Sequence, residues 1–173
     1  MMKAAQPSAN WKFCLCHNTR DLKSTGGGLG LTWAEAIYPG DDVVDLIGGD
    51  LYDNGAYSSP PTAQQRIDVW NNDHLPSLIA QNTHAIAHGK RQFLGEWALH
   101  KLISGSSGNG GNDNPLFIEN TYNWILQHDF EFVNYFDDDE GGAVFHCLSV
   151  NTQFPNGAAK YISTFAQLPH PWT

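Results

Sequence analysis

The sequence predicts an α/β fold of parallel strands, a (β/α) barrel architecture of which this chain holds about half. Between Trp11 and Leu168, four short apolar runs alternate with four stretches of helical pattern, the grammar of parallel βα units. At roughly 30 residues or more per unit, a closed eight-stranded barrel needs on the order of 250 residues, and this chain has 173. One domain is the expected organisation.

The first run, Trp11 to Cys16, is short, aromatic and apolar, and ends at His17 and Asn18. Glycines between Gly26 and Gly30 then make a flexible loop, and Thr32 is the expected cap of a short helix reaching Tyr38. The second run, Val43 to Tyr52, is β-branched at its start and polar at its end, as in a strand buried in a parallel sheet. Past Ser59-Pro60-Pro61, a helical zone carries Ile67, Val69, Trp70, Leu75, Leu78, Ile86 and Ala87. It breaks near Pro76 and stops at Gly89.

The third run, Gln92 to Leu99, precedes a Ser/Gly/Asn-rich surface loop from Ser104 to Gly111. Asn114 caps and Pro115 opens the next helix, with Phe117, Ile118, Tyr122, Ile125 and Leu126 as its apolar stripe. The fourth run, Phe130 to Phe136, ends in the acidic run Asp137 to Glu140. Pro155 opens a last helix through Phe165, and Pro169 and Pro171 close the chain. Residues 1–10 are expected to be either disordered or a truncated lead-in.

Eighteen acidic against nine basic side chains give a formal net charge of −9, which repels a phosphate backbone and an anionic membrane. Aromatic content of 12% suits a chain that buries a core. The opening lacks the apolar region of a signal peptide, and no stretch approaches the roughly 18 apolar residues of a membrane span. Three cysteines make no disulfide framework.

In parallel βα architectures, function gathers where strands end at their C-termini. The four runs end in His17 and Asn18, in Asp50 and Tyr52, in Glu96 and Trp97, and in Tyr135 and Asp137. Strand alternation puts Gly48, Asp50 and Tyr52 on one face, and Gln92, Leu94 and Glu96 on one face of the next strand. Two carboxylates and a phenol are therefore expected at one cavity. A strand-end carboxylate suits attack on an acetal carbon, a neighbouring tyrosine hydroxyl orients it, and Trp97 offers a flat face for a sugar ring. The plain alternative makes Asp50 a turn cap with Asn54 and Gly55, and Glu96 an exposed loop acid. On pattern alone the two weigh equally.

Three successions carry a family resemblance: Tyr38-Pro39-Gly40-Asp41-Asp42 running on to Gly48-Gly49-Asp50-Leu51-Tyr52-Asp53, then Ala87-His88-Gly89-Lys90 leading to Gly95-Glu96-Trp97-Ala98-Leu99, then Asp113-Asn114-Pro115-Leu116-Phe117-Ile118. Together they resemble the C-terminal half of glycoside hydrolase family 26 and its β-mannanase-like relatives, over about Trp11 to Phe165. The resemblance implies a TIM-type barrel with these runs as strands five to eight, acting on a β-linked polysaccharide, β-mannan favoured, by a retaining double displacement. It places Glu96 as the nucleophile, Tyr52 as the tyrosine beside it and Asp50 in the same cleft, with Trp97, Asp113 and Tyr135 at subsite loops. It implies a secreted or periplasmic setting.

One departure stands out. The family's acid/base is a second glutamate at the end of the fourth strand, and no position here corresponds to it. Retaining chemistry needs two carboxyl groups about 5 to 5.5 Å apart. Asp50, beside Glu96 on a neighbouring strand, has no access to the far side of the scissile bond. The acid/base is then expected from upstream sequence that this chain lacks, and a complementary half barrel or a second copy of the chain is an expected partner, since a half barrel exposes strand edges and an apolar interior. The alternative is a catalytically incomplete fragment that binds carbohydrate.

No cofactor and no metal are expected. His84 and His88 have i, i+4 spacing but neither the glutamate of H-E-x-x-H nor a third ligand nearby in sequence, so His88 reads as a helix-end histidine. Cys14 and Cys16, with thiols spread to opposite faces of a strand, read as core cysteines. The acidic run Asp137 to Glu140 lacks the spacing of a calcium loop, and the glycines from Gly26 lack the Lys-Ser/Thr of a phosphate cradle.

Overall fold

The computed structural model describes residues 10–24, 27–102, 109–139, 144–149 and 153–165. Four strands, β1 (Cys14–Asn18), β2 (Leu46–Tyr52), β3 (Arg91–Ala98) and β4 (Phe130–Tyr135), lie side by side in chain order, each pair parallel. The helices are α1 (Leu31–Ile37), α2 (Ala63–Val69), α3 (Leu75–Ala87), α4 (Pro115–Gln127) and α5 (Pro155–Thr164). The predicted α/β succession and its parallel sheet are present, as an open sheet edged by β1 and β4. The expected lead-in, most of the Ser/Gly/Asn loop, the end of the acidic run and the closing prolines lie outside the described residues. No described helix is long and apolar enough to cross a membrane.

Local chemistry sets the helix ends. Thr62 and Gln65 form a reciprocal capping box at α2, and Asn114 Oδ1 accepts from the Phe117 N–H ahead of α4. Gly89, at φ +62°, stops α3. The break expected near Pro76 is a π turn, Trp70–His74, so the proline falls in the first turn of α3, where its missing N–H costs nothing. Thr32 does not cap α1: the chain enters that helix through Gly30 at φ +79°, a left-handed conformation that glycine adopts without strain.

The helices cover one face. Leu51, Leu94 and Trp97 of the sheet pack there against Trp70, Leu78, Phe117, Ile118 and Phe165. The other face carries no described helix, and Cys14, Cys16, Asn18 and Asn134 are exposed. This corrects the expectation for the cysteines: at i and i+2 they share a face, and both are exposed thiols on the open side. At the base of that side the strands touch closely. A Cβ on Gly48 would lie 2.1 Å from the Phe93 carbonyl oxygen, so only glycine fits there.

Candidate active site

β3 carries Gly95 and Glu96 where each neighbouring strand has one residue. Gly49 and Leu51 of β2 pair with Leu94 and Trp97, and Val133 and Tyr135 of β4 pair with the same two positions. The extra residue is a β-bulge, which breaks the alternation and re-aims side chains. Gln92 and Leu94 point to the helices, where Gln81 donates to Gln92 and Leu94 joins the core. Strict alternation would bury Glu96 beside them. The bulge instead turns Glu96 toward Asp50 and Tyr52 and sends Trp97 into the core, so the expected grouping of Gln92, Leu94 and Glu96 does not hold.

On the open face, Tyr52 Oη donates to Glu96 Oε2 at 2.5 Å, a charge-assisted bond short enough to fix one carboxylate oxygen. The Glu96 backbone N–H donates to Asp50 Oδ1 at 3.0 Å, and the Cys16 thiol reaches the same oxygen at 3.4 Å. Burial, more than the charge of Glu96, raises the Asp50 carboxyl above its usual range. Burial, then Asp50, pushes the Cys16 thiol up to about 12, so sulfur keeps its proton and donates. Asp50 therefore braces the bulge that presents Glu96. Its contacts are not those of a turn cap, and Glu96 is half-buried rather than an exposed loop acid.

Among the described residues, three rings stand near the tyrosine. His146, Phe136 and His100 stand 4.9, 6.1 and 6.3 Å from the Tyr52 ring. Burial, then His146, lowers His100 to about 4, so it is neutral at neutral pH. His146 Nδ1 donates to the Leu99 carbonyl at 2.7 Å. Immediately after Tyr52, buried Asp53 accepts from Tyr57 Oη at 2.6 Å and Asn114 Nδ2 at 2.9 Å, which anchors the end of β2 to the start of α4.

Glu96, Tyr52 and Asp50 thus meet as the sequence suggests. Trp97, Tyr135 and Asp113 do not join them. Trp97 is 1% exposed, walled in by Phe165 at 4.9 Å and Tyr135 at 5.0 Å, and has no face to offer a sugar. Tyr135 Oη accepts from the Leu99 N–H and donates to the His146 carbonyl, tying β4 to its neighbours. Asp113 accepts from the Asn156 and Gly157 N–H groups and caps α5. Sequence reasoning missed His100, Phe136 and His146. The first two follow strand ends closely and were findable there, whereas nothing local marks His146. A cavity of about 510 Å³ lies away from Glu96, between β4 and α5, lined by Tyr135, Asp137, Leu148 and Tyr161.

No family model matches this chain, and no curated protein matches it. Its fold is similar to that of GH26C from Muricauda sp. MAR_2010_75, with a TM-score of 0.57 and 17% identity over 97% of this chain and 41% of that one. An engineered protein aligns with a TM-score of 0.57 and 15% identity, over 96% of this chain and 34% of its own. A modular endo-β-1,4-mannanase from Cellulomonas fimi aligns at 18% identity over 76% of this chain and 26% of its own, with a TM-score of 0.45. The chain spans well under half of each. At such identities the likeness is one of fold.

Proposed function

We propose that this chain is the half of a (β/α) barrel that carries the nucleophile of a retaining β-glycan hydrolase, with β-mannan the favoured substrate. The observation that carries the reading is the Tyr52–Glu96 hydrogen bond at the bulge. Tyr52 holds Oε2, leaving Oε1 to attack the anomeric carbon as the glycosidic C–O bond breaks. The leaving oxygen takes its proton from a carboxyl group outside these four strands, on a complementary half barrel or a second copy, facing the open side of the sheet. Water, deprotonated by that same group, then releases the sugar and regenerates Glu96. Resemblance to family 26 supports β-mannan and a secreted or periplasmic setting.

A substrate whose leaving group needs no proton isolates what this half supplies. We expect a 2,4-dinitrophenyl β-mannoside of two or three sugars to release dinitrophenolate in a burst. Intact mass should then show one glycosyl group, mapped to Glu96 and absent from Glu96→Gln. Mannan binding without a burst would assign the chain to the second reading, a carbohydrate-binding fragment. Neither burst nor binding by folded protein would overturn both.

A further inference from the structure

Where the strands begin, at the opposite end of the sheet from Glu96, α1, the turn before β2 and the end of α3 bring a second group of side chains together. His84 lies in the last turn of α3 and His88 is its C-cap residue. The fold adds Glu35 from α1, 53 positions before His88, which no local pattern in the sequence announces. Glu35 Oε1 is 3.5 Å from His84 Nε2, and both carboxylate oxygens are 3.1 Å from His88 Nε2. One ligand atom from each residue lies within 4.8 Å of the others.

These separations suit an ion. In a tetrahedral site with bonds of about 2.0 to 2.2 Å, neighbouring ligand atoms lie roughly 3.3 Å apart. Two further observations point the same way. His84 is 1% exposed, and neither of its ring nitrogens has a hydrogen-bond partner among the described residues, although Nε2 faces the carboxylate. A buried imidazole without partners is costly unless something binds it. His88 Nδ1, in turn, meets Asp41 Oδ1 at 2.9 Å, and Tyr38 Oη donates to that same oxygen at 2.9 Å. A carboxylate on the far nitrogen is the usual support of a metal-bound histidine, because it fixes the tautomer and the ring orientation.

We propose that Glu35, His84 and His88 bind one divalent transition-metal ion, with solvent as the fourth ligand. Two imidazoles and one carboxylate favour zinc over magnesium or calcium, which prefer oxygen. The ion joins α1 to the end of α3. Its place where the strands begin makes it a structural clamp rather than a participant at Glu96.

The test uses the full chain carrying Cys14→Ser and Cys16→Ser, to remove competing exposed thiols, after chelator treatment. Zinc titrated against a chromophoric competitor should bind at one equivalent and raise Tm, whereas magnesium should do neither. Cobalt in its place should give the intense visible absorption of a tetrahedral site. Glu35→Gln at an exposed side chain and His88→Gln at a half-buried one should each weaken binding at least about 100-fold. Asp41→Asn should weaken it about 10- to 100-fold through the ring it supports. Circular dichroism establishes that each variant is folded. Absence of stoichiometric zinc binding would overturn the proposal, as would binding undiminished in folded Glu35→Gln and His88→Gln.

Discussion

Glu96 and Trp97 are consecutive in the chain yet lie on opposite faces of one sheet, in environments that ask different things of a side chain. Trp97 sits among rings and aliphatic groups, where its contribution is volume and dispersion. Glu96 sits on the open face, where its position is fixed by directional bonds from Tyr52 and to Asp50 rather than by packing. The contrast teaches that one bulge decides which of two neighbours takes the structural position and which the chemical one. With Gly95 kept but the bulge flattened into strict alternation, the two side chains would exchange faces.

The largest expected effect tests the covered face. Trp97→Ala should cost about 3 to 5 kcal/mol of unfolding free energy, read as a lowered urea midpoint, because the surrounding core cannot collapse fully into the space. Glu96→Gln should change stability by less than about 1 kcal/mol while eliminating the burst and the glycosyl adduct. Equal destabilisation by the two would erase the distinction between the faces.

Next in size is Gly48→Ala, which drives a methyl group into the Phe93 carbonyl and should cost about 1 to 3 kcal/mol. It would show that the open face is tightly packed at its base even though its upper part is polar. Tyr52→Phe should follow, at about 1 to 2 kcal/mol in the barrier to glycosyl transfer, read as burst rate, through loss of a hydrogen bond to a charged group.

Two further effects depend on pH. His100 titrates near 4 in the folded protein, against an ordinary value of 6.5, because of burial and then His146. As pH falls from 6.5 toward 4, the unfolded chain takes up a proton that the folded chain refuses. Stability should therefore drop across that window, with a slope of at most about 1.4 kcal/mol per pH unit. His100→Gln should flatten the slope.

Asp50 has the opposite sign. Its carboxyl is raised, chiefly by burial, so its protonation favours the folded state. That contribution is complete below the ordinary value of 3.8 and is lost as pH rises through the elevated one. Asp50→Asn keeps an acceptor for the Glu96 N–H without the charge. It should alter stability by no more than about 0.5 kcal/mol, relatively more favourably at neutral pH than in acid.

Several features were legible because their causes are local. Asn114-Pro115, Pro155 and Gly89 punctuate helices through a side-chain acceptor, missing donors and left-handed backbone within one turn. Strand ends marked Asp50, Tyr52 and Glu96 directly. The pairing of Cys14 with Cys16 on one face was also open to local reasoning, since a period of two puts i and i+2 together.

The roles of Asp113 and Tyr135 were not legible, because the N–H groups that Asp113 caps and the carbonyl that Tyr135 meets belong to segments far along the chain. By itself the sequence determined a succession of parallel βα units and three polar residues at strand ends, through periodicity and capping that act over a few residues. Only the tertiary structure decided that Glu96 rather than Trp97 faces Asp50, and that Glu35 meets His84 and His88. Both depend on register and packing between elements, and those are set by the sum of distant contacts that no local pattern contains.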